Sequence, residues 1–315
     1  MSDRLLTFSK PYRSSSEFDN FTAKTVTAHL GHSVFSITYA GVAFLGGVPT
    51  DQLIAETLIG GALTKGPAPI LAPTSPTIAR RSANDAAEAI CRNLIVAMNG
   101  ETSRVRSNSL EVVLCGFHRI RKGRWRPFLW CLTWSERERR FLQDRHNEDP
   151  PMDRVHHSGL RLLASAGARS KETTDRLLPK LQGASSPDSD MKALVEEIRE
   201  ISKSNSTVGR DVQLVVIGPK EAFAEGQKPS SDYVLGTDYD HDPEGPLQGF
   251  VFRPWYISNH TWQGPRFEKA EGIELQSLHR QQRFVNNKPV ASEVATLFEE
   301  AQFFGSIVRP RLPRS

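Results

Sequence analysis

Several stretches of this sequence gather side chains able to bind ions, move protons or attack a substrate. Asp238-Tyr239-Asp240-His241-Asp242-Pro243-Glu244-Gly245 sets oxygen donors at alternate positions, as the opening of a calcium loop does. The twelfth position is Gly249, where such a loop needs a bidentate Glu, and Pro243 holds the sixth, where it needs Gly. A solvated acidic loop is therefore expected, with no metal and no cofactor. His156-His157-Ser158 offers a base beside a nucleophile, but neighbours on a strand point to opposite faces and no acid is placed to orient the imidazole. The run from His118 to Arg126 surrounds Trp125 with Arg119, Arg121, Lys122, Arg124 and Arg126, side chains that meet phosphates and stack on bases. Apolar runs flank it on both sides and Gly123 permits a turn, so it reads as the charged connection of a hairpin, and nucleic acid is not the expected partner. Cys91, Cys115 and Cys131 are odd in number, widely spaced and set among apolar residues, which fits reduced, buried thiols rather than a disulfide or zinc framework. At the start, removal of Met1 would expose Ser2 beside Asp3, and a terminal Ser with a free amine can supply both nucleophile and base. Termini are poorly ordered unless tied down, and acetylation removes the amine, so no chemistry at Ser2 is expected.

The composition sets bounds on these sites. The chain has 315 residues, 38% hydrophobic and 24% charged, the usage of an ordinary globular protein with a sizeable core. Its net charge of +4 is mild and sits largely in local clusters. No run approaches the roughly 18 apolar residues of a membrane span, and no apolar signal core follows Met1-Ser2-Asp3-Arg4, so a cytoplasmic protein with no membrane partner is expected.

Periodicity supplies the elements that must carry any site. Ser33 to Ala40 alternates Phe35, Ile37 and Tyr39 against Val34, Ser36 and Thr38, which predicts a strand ending at Gly41. Thr50 is then expected to cap a helix bearing Leu53, Ile54, Thr57 and Leu58 on one face. Pro67, Pro69, Pro73 and Pro76 make a loop of residues 60–78. Ser82 and Asp85 form a capping box ahead of Ala86, Ala87, Ile90, Cys91, Leu94, Ile95 and Met98, a helix closed by Asn99-Gly100. Leu110 to Phe117 and Pro127 to Trp134 read as neighbouring antiparallel strands in a largely buried sheet, and the charged stretch from Trp134 to Pro151 as exposed. Leu194, Val195, Ile198 and Ile201 predict an amphipathic helix after Asp188, leading through Asn205 to a strand at Val212 to Ile217. Beyond it the sequence is turn-rich to Gly249, aromatic from Phe250 to Ile257, where it is expected to cover an edge of the body, and helical over Ser292 to Phe304.

Four motifs in this order carry a resemblance. Ser2-Asp3-Arg4-Leu5-Leu6-Thr7 is similar to the strand-end Asp and Arg signature of the proteasome-like N-terminal nucleophile (Ntn) hydrolases, and Thr22-Ala23-Lys24-Thr25 to their catalytic-lysine strand. Thr38-Tyr39-Ala40-Gly41-Val42-Ala43 resembles their strand-to-helix turn, and Asn205-Ser206-Thr207-Val208-Gly209-Arg210-Asp211 their turn before a late strand. The resemblance runs from Ser2 to Ile217 and implies the family's four-layer α/β/β/α sandwich, an α+β fold. It also implies site roles: Lys24 lowers the local proton affinity, Asp3 orients Lys24, and the backbone N–H at Gly41 stabilises an oxyanion. The family's nucleophile opens a strand that leads into the Asp signature, but here that signature begins at residue two. Asn205 and Val208 stand where the family has Asp and Ser. Both departures point to lost or altered chemistry.

The sequence therefore predicts an N-terminally incomplete Ntn-type domain over residues 1–218, its first strand missing, and a C-terminal extension over 219–315 packed on the body. The expected function is that of a non-catalytic proteasome-fold protein acting by binding or self-assembly, its partner a second copy, another protein or a peptide substrate. One alternative is an Ntn amidohydrolase or peptidase whose true start lies upstream; a further alternative is a nucleic-acid-associated protein. A strand edge left unpaired by the missing strand is expected to promote self-association.

Overall fold

The structure is a computed structural model that describes residues 2–3, 6–7, 17–19, 24–31, 33–61, 72–73, 82–119, 125–147, 167, 170–182, 187–205, 208, 212–213, 215, 217, 250–259, 261–264, 266–269, 284–285 and 288–289. Eight strands share one sheet: β1 (Thr25–Leu30), β2 (Ser33–Gly41), β3 (Ala72–Pro73), β4 (Leu110–Arg119), β5 (Trp125–Ser135), β6 (Arg140–Asn147), β7 (Trp255–Ser258) and β8 (Thr261–Gln263). Their order across the sheet is β6-β5-β4-β2-β1-β7-β8-β3. Every neighbouring pair is antiparallel except β1 with β7, where Val26 stands opposite Trp255 and Ala28 opposite Ile257. The fold is thus mixed α+β around a mostly antiparallel sheet.

Alternation along the strands sorts this sheet into an apolar and a mixed face. Val26, Ala28, Leu30, Phe35, Ile37, Tyr39, Leu110, Val112, Leu114, Phe128, Trp130, Leu132, Trp134, Trp255 and Ile257 are buried in one cluster with two helices, α1 (Thr50–Ile59) and α2 (Ala83–Asn99). Burying each large apolar side chain contributes about 1.5–3 kcal/mol, so this layer supplies most of the folding drive. The capping box of α2 forms as its sequence predicts: Ser82 Oγ accepts from Asp85 N, and Asp85 Oδ2 accepts from Ser82 N. Thr50 departs from expectation. Pro49 is the residue that caps α1, with no side-chain bond, and Thr50 is its first helical residue, donating its hydroxyl to Val42 O at 2.7 Å. α1 is buried nearly all round, and its polar groups pair accordingly: Trp255 Nε1 donates to Asp51 Oδ2 at 2.9 Å, and Gln52 Nε2 to Glu56 Oε1 at 2.9 Å.

The hairpin around the basic run is confirmed by register, with Trp125 opposite Arg119 and Phe128 opposite Gly116. Of the charged stretch after Trp134, residues 137–140 and 142–145 are exposed, as expected, but Phe141 is buried and the stretch contains a strand: β6 pairs with β5 from Ser135↔Arg140 to Phe128↔Asn147. Alternating charge hid it, because only one of its faces meets the core. Residues 255–263 add two strands to the sheet itself, a closer union than a cover over an edge. Two further helices, α4 (Ser170–Gln182) and α5 (Pro187–Ser204), pack on each other, and a one-turn helix, α3 (Ser103–Arg106), follows α2. Between α4 and α5 the buried carboxylate of Glu197 meets Arg176 at 2.5 Å and Lys180 at 3.4 Å. Short ladders pair Ser2–Asp3 with Val212–Gln213, Leu6–Thr7 with Glu17–Asp19, and Phe250–Arg253 with Arg266–Lys269. The mixed face of the sheet is buried at Thr25, Thr27, Val34 and Ser36 and opens at Cys115 and Thr133. No helix among the described residues is long and apolar enough to cross a membrane.

Candidate functional site

Two of the three residues singled out from the sequence, Lys24 and Gly41, lie at the same end of the sheet. Tyr39 N donates to Lys24 O at 3.2 Å, which extends the β1–β2 ladder by one pair and sets Lys24 beside Tyr39. Gly41 is two residues further along β2, about 7 Å at strand rise. It holds φ +102°, a left-handed conformation that glycine adopts without strain, and a Cβ there would fall 1.7 Å from Ser109 O. Backbone geometry alone therefore requires glycine at this position.

The same end holds a carboxylate that motif reading did not select. Glu111 stands opposite Ala40 in the β2–β4 ladder, and its Oε2 accepts from Gly167 N at 2.7 Å. Its signal in the sequence is that it is the one charged residue in the apolar run Leu110 to Phe117. Next to Lys24, the hydroxyls of Thr25 and Thr38 lie 3.4 Å apart, but Thr25 is fully buried and meets no substrate from solvent. Lys24, paired beside the core residue Tyr39, lies on the face toward α1 and α2, whereas Glu111, opposite Ala40, lies on the other face, so the two share a sheet end but not one surface.

Asp3 is on a different ladder, with Val212 as its strand partner, and Ser2 pairs there with Gln213. Of residues 205–211, Asn205 and Val208 are described, and Val208 N donates to Asn205 O at 3.0 Å. His156-His157-Ser158, Asp238 to Gly245 and the helix expected over Ser292 to Phe304 lie outside the described residues. Among the described residues no group of His, Cys, Asp and Glu is placed to hold a metal ion.

The cysteines depart from the expectation that all are buried. Cys91 is buried, Cys131 is half-buried and Cys115 is exposed, because Cys115 and Cys131 fall on the mixed face of the sheet. Burial pushes the Cys91 thiol up to about 11, with Arg145 opposing the rise. Burial also raises the Cys131 thiol, and the negative charge of Asp144 adds to it. In the basic hairpin, burial and then Arg126 hold His118 below the usual imidazole range, so it is neutral at pH 7 and its ring lies 5.8 Å from that of Phe128. His118 therefore adds no charge to that cluster.

The chain matches no protein-family model, no curated protein and no solved structure.

Proposed function

We propose that this chain is a non-catalytic protein of the proteasome-like Ntn-hydrolase fold that acts by binding or self-assembly. The layering is the observation that carries it. On the face of the sheet away from α1 and α2, Ile217 packs against Val34 with Phe117 and Tyr256. α5 packs beside Val212–Gln213, the strand that pairs with Ser2–Asp3. These contacts support a four-layer reading in which α1 and α2, the main sheet, the two-residue ladder of Ser2–Asp3 with Val212–Gln213, and α5 would be successive layers. The non-catalytic part rests on the Ntn pattern itself: Lys24 and Gly41 share a sheet end, whereas Asp3 is laddered to Val212, and Asn205 and Val208 replace an Asp and a Ser.

A second reading, an Ntn-type amidohydrolase, is favoured by the shared position of Lys24 and Gly41. Turnover of a panel of amide and peptide substrates separates the two. The expected result is release no faster than in buffer; hydrolysis that disappears in Lys24→Ala would establish the enzyme.

A further inference from the structure

β6 ends the strand order, and no strand among the described residues pairs with its outer edge. Such an edge presents backbone N–H and C=O groups to any strand that can lie beside it. On the mixed face of the sheet, β6 carries Arg140, Leu142 and Asp144, which stand opposite Ser135, Thr133 and Cys131 of β5 and are all exposed. Leu142 is 45% exposed, one of two large apolar side chains so placed among the described residues. The pattern Arg-x-Leu-x-Asp is its own complement. Turned end for end about Leu142, it sets Arg140 of one copy opposite Asp144 of the other, twice, with Leu142 against Leu142 between them. The smallest slip that keeps the two faces aligned brings Leu142 opposite Asp144 or Arg140 and loses both matches.

We propose that β6 pairs antiparallel with β6 of a second copy of this chain about a two-fold axis through Leu142, making one sheet continuous across the dimer. The proposal rests on the self-assembly part of the function above and names its surface. Within one chain Arg140 Nε lies 2.6 Å from Glu138 Oε2, an exposed pair that exchanges for the intermolecular one at little cost. In this register Arg145 stands across from Arg139 of the other copy, just beyond the start of its β6, but its guanidinium lies over the Trp130 ring, 5.1 Å from the centre, on the opposite face from the Arg140–Asp144 pairs.

Sedimentation velocity over a concentration series tests this on the full chain and four variants: Arg140→Glu, Asp144→Arg, the double reversal and Leu142→Lys. Dimerisation is expected in the parent. Each single reversal places like charges opposite one another twice and weakens the dimer by about tenfold, while the double reversal restores it. Leu142→Lys, which puts two lysines on the axis, abolishes it. A dimer indifferent to all four variants would overturn the inference while leaving self-assembly standing through another surface. A monomer at every concentration would overturn the inference and the self-assembly reading together.

Discussion

Gly116 sits where two strands bring large rings together. It faces Phe35 on β2 and Phe128 on β5, whose centroids are 6.2 Å apart, so the missing side chain leaves the space those rings fill. A Cβ at Gly116 would fall 2.2 Å from Val34 O and 2.5 Å from Phe35 Cα, backbone atoms that cannot swing away. Gly116→Ala is expected to destabilise the protein by about 1–3 kcal/mol, read as a lower denaturation midpoint with unchanged slope; an unchanged midpoint would mean that β2 and β4 are not registered as described. The thiols give a second residue-level expectation, since the thiolate is the reactive form and must be reached by the reagent. With a neutral alkylating reagent at pH 8, Cys115 is labelled before Cys91; desolvation raises both thiols, so the order is set by access, Cys115 being exposed and Cys91 buried. Peptide mapping that finds Cys91 modified first would contradict the assignment of faces. At this scale the sequence was partly legible. It marked Lys24 and Gly41, but their place at one sheet end depends on strand register, and Glu111 became visible at that end, on the opposite face from Lys24, only through its pairing with Ala40.

Among the elements, α2 and the β4–β5 hairpin were readable because local signals and burial agree. α2 has its capping box and a continuous apolar stripe, and the hairpin has two apolar runs around a charged turn. Ser82→Ala removes the acceptor for Asp85 N and is expected to cost about 1 kcal/mol in thermal or chemical unfolding; no loss would show that the cap contributes nothing to stability. β7 was not readable as a sheet member. It runs parallel to β1, and the hydrogen bond from Thr27 Oγ1 to Trp255 O, 2.7 Å long, spans 228 positions of sequence. No local pattern encodes a partner that distant. α4 was missed for another reason: Pro179 stands inside it, a residue that ordinarily argues against a helix, while Leu177 and Leu181 are buried one turn apart.

For the molecule as a whole, the face of the sheet opposite α1 and α2 is where the layered reading has its consequences. Thr25, Thr27, Val34 and Ser36 are buried there, with Ile217 against Val34, while Cys115 and Thr133 remain exposed nearer β6. One part of the face therefore belongs to the interior and the other lies beside the strand edge proposed to join two copies. In an Ntn hydrolase a nucleophile and its own amine work at a strand end near a lysine, whereas Ser2, the hydroxyl weighed from the sequence, is on the ladder with Gln213. A turnover assay tests only the substrates chosen, whereas covalent capture does not depend on knowing the substrate. The most direct measurement is the intact mass of the purified protein after incubation with a hydroxyl-directed electrophile, followed by peptide mapping. A non-catalytic chain keeps its unmodified mass and shows no acylation at Ser2, whereas a stoichiometric adduct that maps to Ser2 and is lost in Lys24→Ala would contradict that claim.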